Sequence, residues 1–435
     1  MQESKLSFAN VSQQINSMDK EYTRVLSVGY FSPGWPREAY PNGIVSYVAT
    51  MVEGLHAIGH RPYILCENLS PSKGDSTTQA EIVPFSTRST SFTIRLFDAV
   101  SYRLRSDIAI ANTLARGLSR AVNDLANTSN LDLLEMDESF GWAEFVRRKL
   151  SIPILIRLHG PHFLNGAVSG AVEDRVFTRR VELERQAIAN AFAISAPSLN
   201  VLEQTRHYYN LPLEKAVVVP CPVAQVSQEE RWKAADCDPN LIAFVGRFDR
   251  HKGGDLMIDA FVKVVQRYPA ARLQFAGPDS GYVDDIGKKW QFKEYVQARL
   301  PGALESGQVE YLGHQPPARL NALRKRAQVT VIASRYDNFP YTALESLSLG
   351  CPMVASCAGG IPEIVTDEVS GLLFQASDAE SLASQIIRML ENPGLAARLG
   401  ERASVECGKR FTPEVVAKQS VALYEETLDR WSQRR

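Results

Sequence analysis

Neither sign of charge predominates. The chain has 48 lysines and arginines against 49 aspartates and glutamates, a net charge of −1. So balanced a surface lacks the basic footprint of a nucleic-acid binder and excludes that partner class. Cysteine is scarce: six in 435 residues, with no C-x-x-C pair. That argues against a disulfide framework and for a reduced, cytoplasmic setting. No apolar run is long enough to span a bilayer. Residues 1–22 are polar without an apolar centre, so they read as a loose tail and not as a secretory signal. Short-period repeats and low-complexity tracts are also missing, which excludes solenoids and fibrous folds. His159 and His162 lie three residues apart without further ligands at metal spacing, and no metal site is expected.

What remains is a chain too long for one ordinary core, so two domains are expected. Strand-like and helix-like segments alternate through most of it. In the first half, strands are expected at 25–29, 131–136, 154–158, 192–195 and 217–219, with helices at 44–58 and 173–190. The second half starts afresh with a strand at 241–245, a helix at 255–267, and strands at 272–276, 309–312, 329–333 and 352–356. Alternation of this kind predicts α/β architecture, with parallel sheets covered by helices on both faces. The polar, proline-bearing stretch 221–239 reads as a linker. Ala417, Val421, Tyr424, Leu428 and Trp431 share one face of a closing helix, which can complete the second domain or cross back to the first.

Four clusters point to chemistry. In Ser334-Arg-Tyr-Asp-Asn-Phe-Pro-Tyr-Thr-Ala-Leu-Glu345, Asp337 and Glu345 flank and enter a short helix with Pro340 in its first turn and Gly350 as its stop. Gly359-Gly360-Ile-Pro-Glu363 follows the next strand. Carboxylates suit hydroxyls and helix-end amides suit phosphate, so the pattern fits a polyhydroxylated anion. Phe244-Val-Gly-Arg247-Phe-Asp-Arg-His-Lys252-Gly-Gly254 places two cations after a strand, either for a diphosphate or as a solvated basic loop. His159 ends an apolar strand, where it can meet a substrate hydroxyl or a backbone carbonyl. The long loop before Gly43 leads into a helix N-terminus, as a binding loop or an unimportant surface loop.

Two further segments are ambiguous or silent. Asp236-Cys-Asp238 matches a short metal-holding pattern but falls in the linker and reads as chance. The stretch 88–105 interleaves basic and apolar residues. It reads as a core-facing helix with a solvated face, or as a basic amphipathic helix on an anionic membrane surface.

Together these motifs resemble the retaining glycosyltransferases of family 4 with the GT-B fold. Gly246-Arg247 with Lys252-Gly253, Leu312-Gly313, the acid–x7–acid run, and Gly359-Gly360-Ile-Pro-Glu363 with Gly371-Leu-Leu occur in the family's order. The resemblance implies two facing Rossmann-like, doubly wound domains with an interdomain cleft. It gives an acceptor domain over 23–222, a nucleotide-sugar domain over 240–412, and a helix at about 413–435 that crosses back. It further implies that Arg247 and Lys252 bind the donor diphosphate, Glu345 the ribose and Asp337 the transferred sugar. The amides of Gly359, Gly360 and Ile361 would line the sugar–phosphate site, Gly313 and His314 would border the base, and His159 and Gly43 would act from the first domain.

No cofactor is expected beyond the nucleotide sugar as donor. The acceptor is a saccharide or a lipid-linked saccharide, the latter placing the protein at the inner face of the membrane. The sequence departs from the family at four points, one of them Pro340 in place of a common glycine, which still suits a helix first turn. Asp337 stands for a usual glutamate, and Asn42-Gly43 for two frequent glycines, with Asn42 expected to tolerate positive φ. Cys221-Pro222 stands for a frequent asparagine–glycine. A catalytically silent binder of the same fold is the competing reading. Epimerisation and glycan phosphorolysis are others, the latter needing a pyridoxal-bearing lysine that no motif identifies.

Overall fold

The computed structural model describes residues 24–40, 42–70, 79–87, 107–168 and 170–434. The tail expected at 1–22 and the basic stretch expected at 88–105 lie outside the described residues. Strands β1 (Ser27–Ser32), β2 (Arg61–Cys66), β3 (Glu81–Pro84), β4 (Leu133–Asp137), β5 (Ile154–Arg157), β6 (Ala193–Ala196) and β7 (Val217–Val218) form one sheet in the order β3-β2-β1-β4-β5-β6-β7. A second set follows: β8 (Asp238–Val245), β9 (Arg272–Ala276), a small hairpin β10 (Tyr282–Val283) and β11 (Lys289–Trp290), β12 (Val309–Gly313), β13 (Ala327–Ile332), β14 (Met353–Ser356) and β15 (Leu372–Phe374). Six of these make a second sheet, ordered β12-β9-β8-β13-β14-β15. Every pairing in both large sheets is parallel.

Strands β4, β5, β6, β13 and β14 are buried at every residue. That is the mark of strands covered on both faces, and it explains why they read as continuous apolar runs. Strand order reverses beside the first strand of each sheet, between β1 and β4 and between β8 and β13. Such a reversal opens a crevice at the carboxyl ends of the strands, the usual ligand position in open α/β sheets. The chain is α/β with two Rossmann-like sheets, as the sequence implies.

The closing helix Pro413–Ser432 starts in the second half of the chain but packs on the first. Val416, Ala417, Val421 and Tyr424 are buried in one cluster with Val45, Val48, Met51 and Leu55 of the helix Gly43–Ala57. The two helices meet at Gly54, where an added Cβ would lie 2.2 Å from the Pro413 carbonyl oxygen. Beneath them, the Tyr424 and Tyr47 hydroxyls donate to the two oxygens of Glu135 at 2.6 and 2.7 Å. Tyr30 shares a 2.8 Å hydrogen bond with Tyr424. Burial pushes the Glu135 carboxyl up, while Arg157 and the two tyrosine hydroxyls pull it down. Farther along, Trp431 sits edge-on to Phe192 at 5.1 Å.

The stretch read as a linker is pinned to the second sheet. The Trp232 backbone N–H donates to the Leu349 carbonyl and its indole N–H to that of Ala327, both at 2.8 Å. Strand β8 begins at Asp238, three residues earlier than its apolar run indicates, because Asp238 already pairs with Ala327 of β13; its carboxylate also bonds the Arg272 guanidinium. Among the described residues, no helix is long and apolar enough to cross a membrane.

Candidate active site

Both strand-order reversals open onto one cavity of about 390 Å³ between the sheets. Gly43, Glu138 and His159 line it from the first domain, and Lys252, Asp337 and Asn338 from the second. The second-domain side rests on a short ion pair. Lys252 Nζ stands 2.6 Å from Asp337 Oδ2, and Asp337 is only 9% exposed. Lys252 follows β8 and Asp337 follows β13, so the pair bridges the reversal itself. The helix Tyr341–Ser348 begins just after Pro340, with Gly350 (φ +68°) beyond its end.

Arg247 does not join Lys252. Its Nε is held by Asp249 at 2.7 Å and its side chain is 46% exposed, outside the cavity lining. Of the two cations expected in the cleft, Lys252 lines the cavity and Arg247 does not, because a carboxylate two residues on turns its guanidinium aside. Glu345 accepts a 2.7 Å bond from the buried Arg324 and also lies outside the lining. Gly313 (φ +64°) and the exposed His314 end β12, at the far edge of the sheet order.

The glycine loop after β14 differs from expectation as well. The Gly360 N–H donates to the Asp337 carbonyl at 2.8 Å and that of Ile361 to the Ala358 carbonyl at 3.1 Å. These two amides hold the loop and do not face open space. Gly359 adopts φ +58°, and an added Cβ would lie 2.1 Å from the Asp337 carbonyl oxygen. Only glycine allows the loop to fold so tightly onto the Asp337 backbone.

On the first-domain side, Asn42 is not left-handed. It is extended at φ −146° and caps the helix Gly43–Ala57, its Oδ1 accepting from the amides of Ile44 and Val45 at 2.7 and 3.2 Å. Asparagine here replaces conformational freedom with a cap. His159 packs its ring edge-on to Tyr47 at 4.9 Å. Burial and the nearby Arg157 charge hold its pKa well below the ordinary value, so the imidazole is neutral.

Sequence reasoning missed Glu138. It is buried, and its Oε2 and Oε1 accept the backbone N–H groups of His159 and Gly160 at 2.9 and 2.7 Å. That clamp fixes the loop after β5. Gly160 has φ +138°, and an added Cβ would lie 2.0 Å from Asn338 Nδ2 of the other domain. Burial, then the charges of Asp137 and Glu184, push the Glu138 carboxyl up to about 8. Asp137 rises to about 6, chiefly through burial. Glu184 accepts the N–H groups of Phe140 and His162 at 3.1 and 2.6 Å, and Phe140 sits at φ 58°. The available signal was two consecutive acids at a strand's carboxyl end, masked by reading that strand as ending at Met136.

The description "Glycosyltransferase Family 4" matches residues 41–224, and "Glycosyl transferases group 1" matches residues 226–405. The two matches abut within the linker and between them take in every strand of both large sheets except β1. The chain belongs to glycosyltransferase family 4, with the GT-B fold. Among its relatives, D-inositol 3-phosphate glycosyltransferase of Segniliparus rotundus is 26% identical over 295 residues, covering 66% of this chain and 64% of that one. An uncharacterized glycosyltransferase of Methanocaldococcus jannaschii is 30% identical over 192 residues, 44% of this chain and 46% of that one. The alignments thus span less than two thirds of either relative. Sucrose-phosphate synthase from Thermosynechococcus elongatus superposes with a TM-score of 0.66 at 21% identity, over 93% of this chain and all of the other. Anabaena HepE in complex with UDP and glucose gives 0.63 at 16% identity, over 93% and 100%.

Proposed function

We propose that this chain transfers a sugar from a nucleotide-sugar donor to a saccharide or lipid-linked saccharide, retaining the anomeric configuration and using no metal. The observation that carries the reading is the Lys252–Asp337 pair, set opposite His159 and Gly43 in the cavity where both strand orders reverse. The named activity of the inositol phosphate relatives and the UDP and glucose held by HepE support it.

Breaking a sugar–phosphate bond leaves negative charge on the nucleotide diphosphate. Lys252, with the N-terminus of the helix Gly43–Ala57, neutralises that charge as it develops. Arg247 adds a second cation on leaving Asp249. Asp337 and the neutral His159 hold hydroxyls of the transferred sugar. The acceptor oxygen bonds to the anomeric carbon on the face from which the diphosphate departs, and a departing phosphate oxygen takes the acceptor's proton. With a lipid-linked acceptor, the chain works at the inner face of the membrane.

A panel of nucleotide sugars screened by thermal shift identifies the donor, because a ligand of the native state raises the melting point. Proton NMR of the product is then expected to show retention; an inverted linkage overturns the mechanism. Exhaustive chelation is expected to leave turnover intact, and loss reversed only by magnesium or manganese overturns metal independence. The placement of Arg247 on Asp249 favours a second reading, a silent binder, for which binding occurs with neither transfer nor donor hydrolysis.

A further inference from the structure

We propose that Glu363 is a positioning residue that latches the cleft shut and so assembles the donor loops. The helix Leu199–Tyr209 belongs to the first domain and begins at Ser198, whose Oγ accepts the Val201 N–H at 3.2 Å. A helix start leaves further first-turn amides in need of partners. Here the second domain supplies them. The N–H groups of Leu199 and Asn200 donate to Glu363 Oε2 and Oε1 at 2.7 and 2.9 Å. A carboxylate at that position also meets the positive end of the helix dipole.

Three more hydrogen bonds cross the cleft beside it. Ser198 Oγ donates to the Asn338 carbonyl at 3.2 Å, Tyr336 Oη to Asn200 Oδ1 at 2.9 Å, and Asn338 Nδ2 to Asn165 Oδ1 at 2.9 Å. Tyr336 and Asn338 flank Asp337, and Glu363 follows the Gly359–Gly360 turn. The loop that lines the second-domain side of the cavity, and the glycine loop that holds it through the Gly360 N–H on the Asp337 carbonyl, are thus the same two that grip the first domain. Opening the cleft strips their partners from both at once. The consequence for turnover rests on the proposed transfer reaction; the consequence for cleft opening does not.

Two variants test the latch from opposite sides. Glu363→Gln leaves one acceptor oxygen and turns a donor toward the amides. Leu199→Pro removes one of the two N–H groups at the first helical position, where proline is tolerated. Ser198, at φ −147° and ψ 157°, already has the extended backbone that a following proline requires. Small-angle scattering of the substrate-free protein is expected to give a larger radius of gyration for both variants than for wild type. Exchange at the Asn200 amide of the Glu363→Gln protein is expected to quicken on the order of tenfold or more, as loss of a hydrogen bond to a charged group implies. The double variant is expected to open little further than Glu363→Gln alone, since both act on one contact.

If Glu363→Gln does not fold, Leu199→Pro carries the scattering test. Variants indistinguishable from wild type in scattering and exchange overturn the latch. Open variants whose transfer kcat equals that of an active wild type overturn the positioning role. Open variants of a protein with no transfer activity uphold the latch and overturn the transfer reaction instead.

Discussion

The two halves of the site are built differently. On the second-domain side, Lys252 and Asp337 sit on the loops that follow the neighbouring strands β8 and β13, and a single side-chain ion pair joins them. On the first-domain side, His159 is placed by Glu138 just after β4, by Tyr47 from the first helix, and by a glycine pressed against Asn338 of the other domain. One half is a local device and the other a product of the whole fold. A local device fails when its own charge is removed. A distributed one fails when any of several supports moves, including supports that never touch a ligand.

Removing charge from the local half is the severest test of this contrast. Lys252→Ala should lower transfer by on the order of a hundredfold or more, as losing a preorganised group that meets developing charge does. Arg247→Ala should cost less, since Asp249 already holds that side chain out of the cavity. Equal losses in steady-state assays would show that the guanidinium swings in during turnover. On the distributed half, Glu138→Ala should lower kcat on the order of tenfold through misplacement of the His159 loop, with donor affinity nearly unchanged. A variant with full kcat would break the claim that the clamp matters.

A smaller effect lies farther away. Gly54→Val pushes on the closing helix, and overpacking of this kind costs about 1–3 kcal/mol, read as a lowered melting temperature. A last test is in pH. The Glu138 carboxyl, raised from 4.5 to about 8, binds its proton more tightly in the folded chain than in the unfolded one. Its stabilising contribution is therefore complete below pH 4.5 and lost as pH rises through about 8. Relative to Glu138→Gln, the wild-type melting temperature should fall across that window; a rise would contradict the assigned direction.

The same contrast explains what was legible in the sequence. Strands such as Arg272–Ala276 and the helix Tyr341–Ser348 follow from apolar runs and their punctuation, within a few residues in each case. Lys252, Asp337, Gly43 and His159 sit at strand ends or a helix start, and the fold brings them to one cavity. Strand β3, partly exposed at the sheet edge, has no continuous apolar run to betray it. Glu138 was illegible for a different reason. Its partners are backbone amides twenty-one and twenty-two positions on, and backbone groups leave no trace in side-chain patterns. The turning aside of Arg247 by Asp249 depends on rotamers that no spacing rule encodes.

The return of the helix Pro413–Ser432 means that the first lobe is not finished until the second has been made. A fragment ending at the linker would bare the apolar stripe of Val45, Val48 and Met51 and strand the Glu135 carboxylate without the Tyr424 hydroxyl. The early sheet must wait, with its greasy flank uncovered, until synthesis of the later lobe is done, and cutting the molecule at its waist would yield one intact piece at most.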